Sequence, residues 1–147
     1  MKTFKVKGYL LVVIQVICLI FIFTSGFPLA YHPLPLVLEI IGIILGIWAV
    51  AVMDVCNLNI APYIKKDAHL VMHGPYSRIR HPMYSAALLI IWPLVFDQYS
   101  LLRLIACLIL TVDLLIKMFY EEKLLREHFS EYEAYMKKTS RLIPFIF

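Results

Sequence analysis

Four long apolar stretches constrain the fold of this 147-residue chain more than any other feature of its sequence. They cover residues 9–27, 34–55, 82–96 and 101–119. A helix needs roughly 20 residues to cross about 30 Å of hydrocarbon, and all but the third stretch approach that length. At about 1.5 Å per residue the third reaches only about 22 Å, so it must begin in the interface or be sheltered by its neighbours. The sequence therefore predicts an all-α, multi-pass membrane protein with four transmembrane helices.

The composition argues against a water-soluble globular protein and against a nucleic-acid-binding protein. With 62% hydrophobic and 16% charged residues, a chain this short has too little interior to hide its apolar surface from water. The formal net charge of +4 is basic, but the 14 Lys and Arg residues lie in short stretches between the apolar segments. They form no continuous basic face for phosphate. We therefore expect membrane lipids around the chain and no nucleic-acid partner.

The positions of Lys and Arg predict the orientation of the helices, because these residues are retained on the cytoplasmic side. The connection over residues 25–33 has no Lys or Arg, whereas the N-terminal tail, the connection over 54–81 and the residues after 119 are cationic. Four spans with cytoplasmic N- and C-termini place all the cationic segments on the cytoplasmic side and the connection without Lys or Arg on the opposite side.

The cationic start also resembles a secretory signal, but no clean cleavage site follows, which favours an uncleaved span. We interpret residues 1–147 as a single domain.

The cysteines and histidines give no metal signature. Cys18, Cys56 and Cys107 are widely spaced in apolar runs, which is typical of buried hydrophobic residues rather than of disulfides or metal ligands. His69 and His73 are four residues apart, but the Gly-Pro pair that follows breaks any helix joining them to further ligands. We expect no metal site.

Polar residues inside the predicted spans are expected to face the interior of the bundle or a cavity. Asp113 precedes Glu121 by about two helical turns, so it either lines a deeper part of the same cavity, pairs with Arg103 or is protonated. Gln15 and Glu39 are also within spans, and the position of Glu39 is consistent with the outer interface.

The connection before the third stretch has the features of an anion site. Gly74-Pro75 forces a turn, and Pro82 suits the first position of a helix, which makes His81 its cap. The unsatisfied N–H groups and the positive end of this helix would face a loop that carries Arg80. Such a site binds a carboxylate or a phosphate. The alternative is a basic turn that only anchors the helix to lipid headgroups.

The segment after the fourth stretch predicts an amphipathic helix over residues 117–138. Its apolar face includes Phe129 and Tyr132, and Glu121 and Glu122 border that face on opposite sides. Paired carboxylates at a membrane surface are suitable acceptors for ribose hydroxyls. The alternative is that Glu122 forms an i,i+4 pair with Arg126 and that Glu121 is a surface charge.

Taken in order, these motifs resemble those of the isoprenylcysteine carboxyl methyltransferase and phospholipid methyltransferase group of integral-membrane enzymes. The similarity covers residues 70–144, and the first two spans match only as hydrophobic segments. Ser85 and Ser130 stand where the family often has Gly. The matching motifs are Gly74-Pro75-Tyr76, Arg80-His81-Pro82-x-Tyr84, Glu121-Glu122-x-x-Leu125-x-x-x-Phe129-x-x-Tyr132-x-x-Tyr135 and Arg141-x-x-Pro144.

The resemblance implies an S-adenosyl-L-methionine-dependent methyltransferase whose cofactor region covers residues 70–144. It implies catalytic roles for Arg80 and Arg141. Arg80 and His81 would also bind the cofactor carboxylate, and the two glutamates would bind its ribose and sulfonium. The implied cofactor-binding residues are Tyr76, Arg80, His81, Pro82, Tyr84, Glu121, Glu122, Phe129 and Tyr132.

The acceptor is expected to be lipophilic, a carboxylate or a thiol such as a prenylcysteine-like group, that enters between helices from the bilayer. Arg141 would orient a carboxylate or favour a thiolate, and neither needs a general base at neutral pH. The alternative for Arg141 is snorkelling at the interface. Two other functions stay open: an NADPH-dependent membrane reductase of the sterol reductase type, and a non-catalytic membrane adaptor or transporter subunit.

Overall fold

The computed structural model describes residues 2–53, 69–144 and 146, and within these residues the regular secondary structure is helical, with no β-strand. The helices are α1 (Lys2–Thr24), α2 (Pro33–Val52), α3 (Pro82–Asp97), α4 (Leu101–His128) and α5 (Tyr132–Met136), with a short 3-10 helix at Gly74–Ser77. Cys56, Lys65 and Lys66 lie outside the described residues, as does the end of the second predicted stretch. The all-α prediction is confirmed for the described part of the chain.

Prolines set the starts of α2 and α3. Pro33 and Pro82 each occupy the first helical position, where the missing N–H costs no hydrogen bond. The observed bounds of α3 agree with the predicted stretch to within one residue.

The predicted continuous helix over residues 117–138 is wrong. α4 continues without a break to His128, and the N–H of Phe129 donates to the carbonyl of Leu125 at 2.9 Å to close its last turn. Phe129 itself is extended. The break reverses the chain, so that Tyr132 and Tyr135 of the five-residue α5 are buried instead of continuing away from the bundle.

The membrane prediction is supported only in part by the helices themselves. Among the described residues, α2 is the one helix both long and apolar enough to cross a membrane by itself. The apolar part of α1 (Gly8–Thr24) and α3 are shorter, and α4 carries charged residues along its length. Many large hydrophobic side chains on α1, α2 and α4 are exposed, as expected of a surface that faces lipid.

The helices pack in the order α2, α3, α4 and α1. Gly42 permits the close α2–α3 contact, since a Cβ at this position would lie 2.8 Å from Ile90 Cγ1 and 3.0 Å from the carbonyl oxygen of Ala86. The main core forms between α1, α3 and α4 and includes both described cysteines, Cys18 and Cys107, which are buried and unpaired. The prediction that these two are buried hydrophobic residues is confirmed.

The connection between α1 and α2 is hydrogen-bonded to the C-terminal end of α3. The Asp97 carboxylate accepts hydrogen bonds from the backbone N–H groups of Tyr31 at 2.6 Å and His32 at 3.1 Å. Glu39 is buried and accepts a hydrogen bond from the Ala30 N–H at 3.0 Å. These contacts lie at the end of α3 opposite to His81, so they hold the bundle together away from the predicted site.

Candidate functional site

The loop before α3 and the C-terminal segment after α5 are joined by backbone hydrogen bonds. Ile79 and Ser140 form an isolated parallel β-bridge. The N–H of Arg80 donates to the Ser140 carbonyl at 2.8 Å, and the N–H of His81 donates to the Arg141 carbonyl at 3.1 Å. This pairing brings the two cationic motifs of the sequence, Arg80-His81 and Arg141, to the same end of α3.

Glu122 of α4 is held between these two motifs. Arg80 Nε donates to Glu122 Oε1 at 2.7 Å, and Arg141 Nε donates to Glu122 Oε2 at 3.0 Å. The side chains of Arg80 and Glu122 keep only 6% and 4% of their exposure. The alternative pairing of Glu122 with Arg126 is wrong, because Arg126 Nη2 instead contacts the Met136 sulfur at 3.6 Å.

The neighbours of Glu122 keep its carboxylate ionised. Burial raises its pKa, but the contacts with His81, Arg80 and Arg141 more than offset that effect and lower the pKa to about 2. Both oxygens of the Glu122 carboxylate therefore accept a hydrogen bond from a guanidinium group. Arg80 Nη1 also donates to the carbonyl oxygens of Met136 (3.1 Å) and Thr139.

Glu121 has a different environment, although it is the next residue in α4. Tyr84 of α3 donates its hydroxyl hydrogen to Glu121 Oε1 at 2.7 Å, and Glu121 Oε2 lies 3.7 Å from His81 Nδ1. Burial raises the pKa of Glu121, while His81, the Tyr84 hydrogen bond and Lys117 act in the opposite direction. Its side chain keeps 23% of its exposure, so Glu121 is the more accessible carboxylate of the pair.

His81 lies between the two glutamates. Its ring stacks on Tyr84 with centroids 5.5 Å apart and planes 4° apart. Its Nε2 atom lies 3.8 Å from Glu122 Oε1, beyond hydrogen-bond distance, and this buried atom has no hydrogen-bond partner among the described residues. A buried ring nitrogen without a partner is costly unless a ligand or a water satisfies it.

The aromatic residues that the resemblance implies for cofactor binding lie in different environments. Tyr76 is buried and its hydroxyl lies 3.5 Å from the Ala49 carbonyl oxygen of α2; burial raises its pKa, as do Tyr135 and Glu121. Tyr132 is 1% exposed, and its buried hydroxyl has no partner among the described residues. Phe129 is half-buried beside His128, with ring centroids 4.7 Å apart.

Tyr135 has a structural role that motif spacing alone does not assign. Its hydroxyl donates to the Tyr76 carbonyl oxygen at 2.6 Å and ties α5 to the turn before α3. Burial raises the pKa of Tyr135 to about 12, with Arg80 acting in the opposite direction. Pro82 is buried at the start of α3, where it fixes the direction in which the Arg80-His81 motif enters the helix.

A buried polar chain links the site to α1, and sequence reasoning did not assign it. Lys117 Nζ donates to Gln15 Oε1 at 3.1 Å and lies 5.7 Å from the centroid of the Tyr84 ring. Both oxygens of the nearby Asp113 are buried without a hydrogen-bond partner among the described residues. Arg103 binds Gln98 instead, with Nη1–Oε1 at 3.1 Å, so the suggested Asp113–Arg103 pair is not formed.

The site described here lies in a chain whose sequence matches a known family model. The model for phospholipid methyltransferases covers residues 31–132, about two thirds of the chain. The chain therefore belongs to the phospholipid methyltransferase family, a group of methyltransferases that typically use S-adenosylmethionine. Arg141 and the C-terminal segment lie beyond the matched residues. Neither a curated protein nor a solved structure gives a significant match.

Proposed function

We propose that this protein transfers a methyl group from S-adenosylmethionine to a lipophilic acceptor at the cytoplasmic face of a membrane. Membership of the phospholipid methyltransferase family supports methyl transfer. The observation that carries the proposal is the direct contact between the start of α3 and the paired glutamates of α4, through Arg80–Glu122 and Tyr84–Glu121. These motifs are 42 and 37 residues apart in the sequence.

The residues present fit the cofactor chemically. The cofactor carries a ribose diol, which needs hydroxyl acceptors, and the partly exposed carboxylate of Glu121 provides one. The buried His81 Nε2 and Tyr132 hydroxyl, which have no hydrogen-bond partner in the part of the chain that the structure describes, provide further polar groups within the same cluster. The carboxylate of Glu121 and the rings of Tyr84 and Tyr132 also suit a cationic group such as a sulfonium, through charge and cation–π attraction.

The reactive methyl is supplied by the cofactor when it is bound, so the task of the protein is to align the acceptor and exclude water. Glu122 fixes Arg80 and Arg141, which makes it a positioning residue. Arg141 keeps 30% of its side-chain exposure and its guanidinium lies 5.3 Å from the Phe119 ring centroid. This partial exposure supports a role for Arg141 in orienting an acceptor carboxylate or in favouring a thiolate.

The proposed topology embeds residues 9–27, 34–55, 82–96 and 101–119 in the bilayer, with both termini and the end of α4 that carries Glu121 and Glu122 on the cytoplasmic side. In this arrangement the loop before α3 and the C-terminal segment share the cytoplasmic side. The exposed apolar side chains of α2 and α4 support the embedding. The Lys117–Gln15 hydrogen bond and the burial of Asp113 and Lys117 also support it, since polar residues within a membrane face the interior of the bundle.

Ligand binding tests the proposal directly. Calorimetric titration of the detergent-solubilised protein with S-adenosylhomocysteine is expected to give saturable binding, and titration with NADPH is expected to give none. Binding of NADPH alone would identify a reductase, and binding of neither ligand would identify a non-catalytic adaptor. Methyl transfer from radiolabelled S-adenosylmethionine to prenylcysteine analogues, lipids and alkyl thiols then identifies the acceptor.

A matched pair of variants tests the role of Glu121. Glu121→Gln is expected to weaken S-adenosylhomocysteine binding at least tenfold, because a hydrogen bond to a charged group is worth about 1.5–3 kcal/mol. Glu127→Gln is the control, since Glu127 is exposed and lies 3.9 Å from Lys123 within the same helix. Equal binding by the two variants would contradict the assignment of Glu121.

A further inference from the structure

Arg103 is a buried cation at the end of α4 opposite to Glu121 and Glu122. It lies in the first turn of this helix and is 3% exposed. Its Nη1 atom donates to Gln98 Oε1 at 3.1 Å, but its Nε and Nη2 atoms are buried without a hydrogen-bond partner in the described part of the chain. An arginine side chain stays protonated in proteins, so Arg103 keeps its positive charge inside the bundle.

The carboxylates at this end of the bundle are engaged by other groups. Asp97 accepts two backbone N–H groups of the connection between α1 and α2, and Glu39 accepts one. Within residues 2–53 and 69–144, no carboxylate forms an ion pair with Arg103. The first turn of α4 has no side-chain cap, so the positive end of the helix adds to the charge of Arg103. The described segments therefore supply no anion to this guanidinium.

The surroundings of Arg103 hold the guanidinium in one orientation. Gln98 accepts the Phe27 N–H at 2.9 Å and donates to the carbonyl oxygens of Phe27 and Leu29, which fixes the amide that binds Arg103. Gly26 leaves the space that the guanidinium occupies, since a Cβ at this position would overlap Arg103 Nη1. Gly26 is itself exposed. The guanidinium is therefore fixed in position and lies directly below the protein surface.

The two nitrogens without partners indicate the kind of ligand. Nε and Nη2 lie on one edge of the planar guanidinium, and this fork matches two oxygens of a carboxylate or a similar oxyanion. We propose that Arg103 binds a small soluble oxyanion of the carboxylate type. Under the proposed topology this site is on the side opposite to the cytoplasm, where cationic residues are uncommon. It is separate from the proposed methyl-transfer site.

Thermal unfolding of the detergent-solubilised full chain tests this proposal with acetate as the probe. Sodium acetate replaces sodium chloride at constant ionic strength, so that only the identity of the anion changes. A ligand that binds only the folded protein stabilises it, and at about ten times its dissociation constant acetate is expected to raise the midpoint temperature by about 3–6 °C. This measurement needs no methyltransferase activity, so its outcome is independent of the proposed function.

Two variants decide whether Arg103 is responsible for the effect. Arg103→Met removes the cation and is expected to abolish the rise with acetate. In chloride this variant is expected to be at least as stable as wild type, because an unpaired buried cation is costly. Gly26→Ala keeps the charge but displaces the guanidinium, and it is expected to weaken acetate binding about tenfold through loss of a charge-assisted hydrogen bond. It offers an independent test if Arg103→Met fails to fold.

Lys123→Gln is the matched control, since Lys123 is an exposed cation of the same helix, and it should keep the full rise with acetate. The proposal is overturned if wild type shows no rise with acetate, or if Lys123→Gln loses the rise as well. It is also overturned if Arg103→Met lowers the midpoint temperature equally in acetate and in chloride, because Arg103 would then only stabilise the packing of the chain.

Discussion

Replacing Glu122 with Gln is expected to destabilise this protein by about 3 kcal/mol at pH 7. The Glu122 side chain is 4% exposed, and its carboxylate accepts hydrogen bonds from Arg80 at 2.7 Å and Arg141 at 3.0 Å. Glutamine keeps the shape but loses the charge, so Arg80 is left as a buried cation without its carboxylate. Removal of one partner from a buried ion pair costs about 3–5 kcal/mol.

The depressed pKa of Glu122 predicts a loss of stability of similar size. A pKa of about 2 in the folded protein, against an ordinary value of 4.5, corresponds to roughly 3 kcal/mol at about 1.36 kcal/mol per pKa unit. Because the folded pKa is depressed, this stabilisation is fully present above pH 4.5 and is lost as the pH falls towards 2. The difference between wild type and Glu122→Gln should therefore shrink over the same range.

Chemical unfolding in detergent, followed by circular dichroism at several pH values, measures both effects. Glu127→Gln is the control and should change the free energy of unfolding by less than about 0.5 kcal/mol, since its i,i+4 partner Lys123 is mostly exposed. A Glu122→Gln variant as stable as wild type at pH 7 would refute the structural reasoning. A stability difference that does not change between pH 4.5 and 2 would refute the assignment of the depressed pKa.

Three further predictions concern the surroundings of the site and the helix packing. Tyr84→Phe removes the 2.7 Å hydrogen bond to Glu121 and should weaken S-adenosylhomocysteine binding about tenfold in calorimetry. Lys117→Met removes the ammonium group near the Tyr84 ring and should weaken the same binding about fivefold; unchanged affinity would separate this lysine from the site. Gly42→Ala should lower the free energy of unfolding by about 1–3 kcal/mol, because its Cβ would lie 2.8 Å from an α3 side-chain atom. Gly46→Ala is the control, with its nearest contact at 3.4 Å, and an equal loss in both variants would contradict the packing argument.

The helices were predictable because the apolar stretches are long and separated by polar or turn-forming connections. Pro82 marks the predicted start of α3 correctly, since proline acts through its own ring and needs no tertiary partner. The end of α4 was not predictable in the same way. Residues 117–138 keep a helical apolar pattern, but burial of Tyr132 and Tyr135 favours a chain reversal after His128. Tertiary packing here overrides local periodicity.

The sequence predicts which residues contribute to the site, but it does not predict which of their side chains contact each other. The helix start at Pro82 and the two glutamates of α4 each indicate polar groups beside an apolar surface, and the structure brings Arg80 into contact with Glu122. Local spacing gave Arg126 as an alternative partner of Glu122, because i,i+4 pairing depends only on helix geometry. The observed partners come from distant segments, and sequence spacing carries no information about such contacts.

The same limit explains why α1 had no assigned role in the site. Its sequence is apolar apart from a few residues, and Gln15 alone does not indicate a partner more than 100 positions away. Lys117 and Glu121 are one helical turn apart in α4, so they share a face, and Tyr84 connects the two from α3. Gln15 accepts the hydrogen bond of Lys117 and thereby links the first helix to Glu121 through two intermediates. A polar residue within the hydrocarbon needs such a partner, so the contact both satisfies Lys117 and ties the packing of α1 against α4 to the geometry of the candidate site.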